Sequence, residues 1–416
     1  MNLSLQSRLT IARAFALSSP QHRRTVQFAR GRQVPVRPTR LAVQATMLAF
    51  TPLESGLAGL TLGLMTAAKL QLTGRVLGIS GAVRGIVRGD AAAWRVAFLS
   101  GLVAGGLALK ALLPSAFELL PAGYTLQRAA VAGLLVGLGT SRGSGCTSGH
   151  GICGNARLSL RSLVATVAFM ATGAVAARLA ETAALFSLPR GIAPLAAAGP
   201  WSPTAKFAVG LLAVAATTWL ALARAAKGVA APARAESAAS IRTELRQAGA
   251  LEKAQLNDEP PSAGPEAQQL ASLATAADMF VGFLFALGLG ASGMLQPSKV
   301  TGFLSVLAGT WDPSLAFVMG GALLVALPAF QLTLRRTRGP ACASCYELPF
   351  KKSLDADLVL GSLTFGAGWG IGGLCPGPAI VALTTLQPAV FVFVVAMLMG
   401  MRLDQNLEVA QKGSLD

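Results

Sequence analysis

Charge is scarce in this 416-residue chain: 13% of its residues are Asp, Glu, Lys or Arg, and 6% are aromatic. Soluble domains carry about 25% charged residues, so ordinary aqueous globularity is excluded. Disorder is excluded as well, because 53% of the residues are hydrophobic. Acid is absent before Glu54, whereas residues 1–53 hold eight Arg and no Lys. Cysteine is sparse too, and its five positions are too uneven for a disulfide framework. No G-x-x-x-x-G-K-[ST] loop occurs, which excludes a P-loop ATP motor within the chain. The net charge of +17 does not point to nucleic acid, because no run of stacking aromatics lies between basic clusters. No sequence feature calls for a cofactor.

What the chain has instead is glycine and proline, 46 and 22 of them, in long apolar stretches. Close-packed or broken membrane helices use both residues. Nine stretches are long enough to span a bilayer: roughly 48–68, 93–113, 122–141, 162–183, 204–224, 274–294, 314–334, 356–374 and 378–401. The fold class expected is an all-α integral membrane protein of about nine transmembrane helices, with the lipid bilayer as its partner. Residues 1–45 read as a targeting segment that is removed. Leu5, Leu9, Ala12 and Ala16 share one helical face flanked by Arg8 and Arg13, and no long apolar core precedes a cleavage site. An organellar inner membrane is expected, mitochondrial before plastid. Residues 46–224 form a first membrane half of five spans, 225–272 a polar linker, 273–403 a second half of four spans, and 404–416 a tail.

The halves resemble each other. TGRVLGISG at 73–81 matches TGFLSVLAG at 301–309, an offset of 228. GLGTSRGSGC at 137–146 matches GAGWGIGGLC at 366–375, an offset of 229. Five spans precede the second copy, and an odd number inverts it, so two inverted-topology repeats are expected with a substrate site between them. Four Gly- and Pro-rich breaks, at 73–88, 142–157, 297–311 and 370–378, should re-enter the membrane, because lipid cannot satisfy their amides. Lys and Arg concentrate in the connections on the C-terminal side, which places the C-terminus on the inner side.

The string most able to carry chemistry is GSGCTSGHGICGNARLSLRSLVAT at 143–166. Its glycines permit tight turns whose amides can cradle an anion. Cys146, His150 and Cys153 follow an i, i+4, i+7 spacing that a soft metal could use, but the glycines argue against the rigid helix this requires. Arg75, Arg142, Arg157 and Lys299 would supply positive potential. A neutral thiol can donate weakly to a soft sulfur, whereas a thiolate would repel an anion.

GCTSGHGICGNARLS, together with GLCPGPAIVAL in the second half, resembles the YeeE/YedE family of sulfur-compound transporters. SGMLQPSKVTGFLSVLAG and WDPSLAFVMGGALLVALP look like the companion half that some bacteria encode separately, so the chain resembles a fusion of the two. The resemblance implies transport of thiosulfate or a related sulfur anion, with re-entrant-loop cysteines handing the ion along by S–H···S hydrogen bonds. A soluble sulfur-relay protein is a possible partner on the same grounds. The expected substrate-binding residues are Gly145, Cys146, Thr147, Ser148, Gly149, His150 and Cys153 in one loop, Cys375, Pro376 and Gly377 in the other, and Gln71, Arg75 and Lys299, with Cys146 and Cys375 at the loop positions the resemblance implies. Gln71 stands where the family has a further loop cysteine.

Two competing readings are a membrane-bound sulfurtransferase using Cys146 as a persulfide carrier, and a membrane docking partner of a sulfur-handling enzyme. The first would need His150 as base. Cys342 and Cys345 have C-x-x-C spacing but no second pair for zinc. Glu54, Asp312, Asp355 and Asp357 read as span-end caps, and Trp94, Trp201, Trp311 and Trp369 as interfacial anchors.

Overall fold

The computed structural model describes residues 50–120, 124–182, 202–248, 265–306, 311–335, 339–343, 345–349, 351 and 353–413. The expected targeting segment lies outside these residues, as does Trp201. The described chain is helical, with one isolated bridge between Arg75 and Glu347. The first half contains α1 (Pro52–Thr73), α2 (Ile79–Val87), α3 (Ala93–Leu112), α4 (Leu126–Arg142), a π-helical segment (Thr147–Gly154) and α5 (Leu160–Thr182). Helix α6 (Pro203–Ala248) follows and runs well into the stretch expected as a polar linker. The second half contains α7 (Pro265–Ala291), α8 (Pro297–Leu304), α9 (Ser314–Arg335), α10 (Ala356–Gly372), α11 (Pro376–Ala382) and α12 (Pro388–Gly413).

Each of the nine expected stretches is a long helix, and each expected break holds a short one. Seven described segments are long and apolar enough to cross a membrane. Helices α1 and α4 are not among them; α4 has 17 residues. Both are instead packed among other helices, and Leu62, Leu70, Ala129 and Val136 on them are essentially inaccessible. This is an all-α integral membrane protein.

Helices of the two halves pack reciprocally: α1 against α9 and α7 against α3, then α4 against α12 and α10 against α5. A two-fold relation between halves produces this pattern. Directions follow from glycines at the crossings. A β-carbon on Gly59 would lie 2.3 Å from the carbonyl oxygen of Val318, and one on Gly63 would lie 2.4 Å from that of Ala322, so α1 and α9 run parallel. Gly133 and Gly137 meet Phe393 and Met397 in the same sense, as the reciprocal pair requires. Equivalent helices run antiparallel: Lys69 pairs with Asp278 while Leu62 lies at Gly288, and Gly139 faces Phe365 while Gly368 faces Ala132. The second half is therefore inverted relative to the first.

Left-handed residues mark the equivalent turns: Gly74 (φ 73°) with Gly293 (φ 77°), Ser144 (φ 59°) with Gly373 (φ 66°), and Leu158 (φ 56°) with Leu386 (φ 58°). The last two pairs keep offsets of 229 and 228, so Cys146 and Cys375 are equivalent. The first pair is offset by 219, which corrects the TGRVLGISG–TGFLSVLAG match. Thr73 and Gly74 end α1, whereas Thr301 and Gly302 lie inside α8. Longer connections after α8 and α9 absorb the difference.

Candidate functional site

Cys146 is the N-cap of the π-helical segment and Cys375 the N-cap of α11, both in extended backbone. Gly149, Gly151 and Gly154 lie within that π-helical turn, and five-residue hydrogen-bonded turns of this kind occur mostly as short pieces, often at functional sites. The two caps open onto one central cavity of about 150 Å³, whose lining also includes Thr147, Ser148, Ile79, Phe169, Met319 and Gly377. No charged side chain lines it. The Thr147 hydroxyl donates to Cys375 Sγ at 3.4 Å, and Cys146 Sγ lies 3.3 Å from Ser148 Oγ. Both thiols are free and buried.

The loop neighbours of these residues line a second, larger cavity. Gly78, Ser80, Gly145, Gly149 and His150 form part of a vestibule of about 900 Å³, which also contains Arg84, Arg88, Arg95, Arg157, Arg161 and Lys351, with Asp90 as its one acidic lining residue. Arg95 pairs with Asp90 at 2.5 Å, and Arg161 lies 3.1 Å from Asp355. The Lys351 ammonium, with Arg161 behind it, holds Asp355 well below the usual carboxylate range. Positive potential concentrated in a cleft raises the local concentration of anions. At the other end of α1, Thr51, Glu54, Gly293, Gln296 and Lys299 line a cavity of about 380 Å³. Lys299 Nζ donates to Thr51 Oγ1 at 2.9 Å and lies 3.4 Å from Asp312.

The expected site residues thus separate into groups. Cys146, Thr147, Ser148, Cys375 and Gly377 meet at the central cavity, with Pro376 opening α11 beside them. Gly145, Gly149 and His150 line the vestibule, and Lys299 the opposite cavity. Cys153 lines none of the three and donates to the Leu77 carbonyl at 3.0 Å. Both ring nitrogens of His150 are engaged: Nε2 donates to the Gly143 carbonyl at 3.0 Å, and Nδ1 lies 3.1 Å from Ser162 Oγ. The ring therefore ties the π-helical segment to the end of α4 and the start of α5. Among the described residues no three His, Cys, Asp or Glu side chains gather as a metal ion would require.

Gln71 and Arg75 are not brought to any of these cavities. The 339–349 connection folds over the end of α1, where Ala341 and Cys342 donate to the Gln71 and Leu72 carbonyls at 2.8 and 2.7 Å. Gln71 Nε2 donates to Thr333 Oγ1 at 3.0 Å, and Arg75 forms a two-pronged pair with Glu347 at 2.8 and 3.1 Å. Burial in this connection pushes the Cys342 thiol up to about 11, with Asp278 as a smaller cause.

Two features escaped sequence reasoning. Lys69 and Asp278 form an ion pair that is essentially inaccessible. A charge set within the apolar stretch of each of two helices was the available signal. Trp369, expected as an interfacial anchor, is 3% exposed and lines the central cavity. Asp312 and Asp355 do cap helix starts, accepting from Ser314 and Leu358 amides at 2.9 and 3.0 Å.

A broken-helix bundle, with small cavities at the breaks and a cationic vestibule, is the architecture of a membrane transporter. Residues 4–176 match the family described as sulphur transport, and residues 272–414 match a family of unknown function, DUF6691. A probable transporter of Xylella fastidiosa strain Temecula1 is 48% identical over 128 residues, which is 31% of this chain and 86% of the relative. A second probable transporter of that strain is 48% identical over 117 residues, 28% of this chain and 86% of the relative. A probable transporter of strain 9a5c is 48% identical over 128 residues, 31% of this chain and 87% of the relative. No solved structure matches the chain. The chain belongs to the sulphur transport (YeeE/YedE) family, and its two family matches fall on either side of α6.

Proposed function

We propose that the chain carries thiosulfate or a closely related sulfur anion across the bilayer, passing the vestibule, the central cavity and the Lys299 cavity. The observation that supports it is the meeting of Cys146 and Cys375, equivalent residues of two inverted halves, on one uncharged cavity. A dianion cannot cross an apolar compartment without partners. Neutral S–H groups can meet its soft terminal sulfur without adding charge, and the cationic vestibule gathers it from solution. The residues adjacent to Cys146 and Ser148 line that vestibule, and Gly293 next to cavity-lining Met294 lines the opposite one. Pumping energy would come from a gradient or from removal of the cargo by a soluble sulfur-relay protein. The persulfide-carrier reading gains no support, because both His150 nitrogens already have partners. We read the basic segment at residues 1–45 as an organellar address and the C-terminus as facing the inner side.

The test is uptake of labelled thiosulfate by proteoliposomes. Cys146→Ser and Cys375→Ser keep size and a donor but replace a soft partner by a hard one. Each should lower uptake, and Cys146→Ala or Cys375→Ala, which deletes the donor, should lower it about tenfold, the effect of losing one hydrogen bond of about 1.4 kcal/mol. The double variant should fall to background with its thermal unfolding little changed. Wild-type uptake by a folded double variant would end the thiol reading and leave these residues as packing.

A further inference from the structure

Trp369 belongs to an aromatic cluster that fixes its ring. Phe365 stacks on it with centroids 6.2 Å apart and planes 10° from parallel, and Phe169 meets it edge-on at 5.9 Å. The residue lines the central cavity beside Cys146 and Cys375. Its indole nitrogen is buried and finds no acceptor among the described residues. Indole N–H donates and cannot accept. Native proteins pair nearly all such groups, and an exception at a cavity wall points to a ligand that completes the bond. The other polar groups there already have partners: Thr147 donates to Cys375, Ser148 lies beside Cys146, and Thr166 donates to the Ser162 carbonyl at 2.8 Å.

We propose that Trp369 is a cargo-binding residue whose Nε1–H donates to an oxygen of the sulfur anion, while the thiols meet its soft sulfur end. This rests on the transport reading above and sharpens it. The preferred cargo carries both a soft sulfur and at least one oxygen, as thiosulfate does. A strong fixed donor on one wall and weak soft donors on another would orient such an ion within the cavity. Hydrosulfide, which has no oxygen, would gain nothing from the indole.

Trp369→Phe deletes the donor and keeps an aromatic ring in the cluster, at the cost of part of the indole's volume. In proteoliposomes it should lower kcat/KM for thiosulfate roughly 10- to 100-fold, the range for losing a hydrogen bond to a charged group. The unmutated protein supplies an independent measurement that does not depend on the variant folding. With its five Trp labelled with 15N, one indole N–H resonance should move downfield on adding thiosulfate and stay in place with hydrosulfide. That resonance should be missing from the Trp369→Phe spectrum. Indole resonances that ignore thiosulfate, or a folded Trp369→Phe with unchanged uptake, would overturn the assignment. So would an indole shift that hydrosulfide reproduces. Absence of uptake by the unmutated protein would instead overturn the transport reading itself.

Discussion

Breaking the Lys69–Asp278 pair gives the sharpest test of how the two halves are held together. The pair joins α1 to α7, the equivalent first helices of the halves, and both side chains are 0–1% exposed. The Lys69 ammonium also lies 5.0 Å from the Trp94 ring centroid and 4.8 Å from that of Phe98. Asp278 has beyond its partner only the smaller influence of the Arg75 charge, and its Oδ2 lacks a hydrogen-bond partner among the described residues. Removing one member of a buried pair costs about 3–5 kcal/mol, because the other charge stays buried and uncompensated. Lys69→Met should therefore lower the folded-to-unfolded ratio by about a factor of 1,000. Asp278→Leu should cost about 1–2 kcal/mol less, since the stranded ammonium keeps its two aromatic faces. The double variant replaces the pair with apolar groups and should return to within about 2 kcal/mol of the original. Adding the two single costs would instead give roughly 4–9 kcal/mol. Equilibrium unfolding in mixed detergent micelles, read by circular dichroism, measures all four proteins. Single costs that simply add would refute the argument that each charge exists for the other. The pair lines none of the three cavities, so the refolded double variant should keep its transport. A stable double variant without uptake would show that this pair belongs to the transport path.

Two further outcomes follow from exposure and charge. Cys345 is the one exposed cysteine, so a membrane-permeant maleimide at neutral pH should label it first, with Cys146, Cys153, Cys342 and Cys375 protected until unfolding. Cys342, pushed up to about 11, should become reactive only in strong alkali, and rapid labelling near pH 7 would contradict its burial. Residues 1–40 fused to a fluorescent protein should carry it to an organelle in a eukaryotic cell, and a diffuse cytosolic signal would remove the targeting reading.

How much was legible in the sequence depended on which physical signal carried it. Membrane spans declare themselves by length and hydropathy, so the nine stretches match helices, although α6 runs 24 residues past its expected end, α7 starts nine residues early, and the last helix starts ten residues late and ends twelve late. The breaks declare themselves by glycine and proline, and each holds a short helix. The register of the first break did not, because Thr-Gly recurs at the end of α1 and again inside α8. Only the left-handed turns at Gly74 and Gly293 reveal the true alignment. Gln71 and Arg75 looked like loop residues facing the path. A distant connection, 339–349, takes their hydrogen-bonding groups, and no local pattern encodes that contact. Trp369 fell near the end of a stretch, where an interfacial ring is usual. Its place was set by Phe169 and Phe365, the first from a helix of the other half.

The inversion explains why two thiols meet while the arginines stay apart. Helices α4 and α10 cross antiparallel, with Gly143 against Gly361, so the residues just beyond their ends arrive at one cavity from opposite directions. Equivalent positions there carry the same chemistry, Cys146 and Cys375. Away from the centre the equivalence lapses. At the offset of 228 set by Leu158 and Leu386, Arg157 corresponds to Thr385 and Arg161 to Ala389. At 229, Cys153 corresponds to Ala382, and it points at a backbone carbonyl rather than a cavity. The two thiols that would touch the cargo midway are thus shared by both halves, whereas Trp369 is not, its equivalent at 229 being Thr140. The groups that gather anions from solution belong mainly to one half, with Lys351 added from the other. Such a division would make the rate of entry sided while the paired thiols present the same chemistry from both faces. Net direction would then be set by the gradient across the membrane, with the vestibule deciding from which face low concentrations are captured.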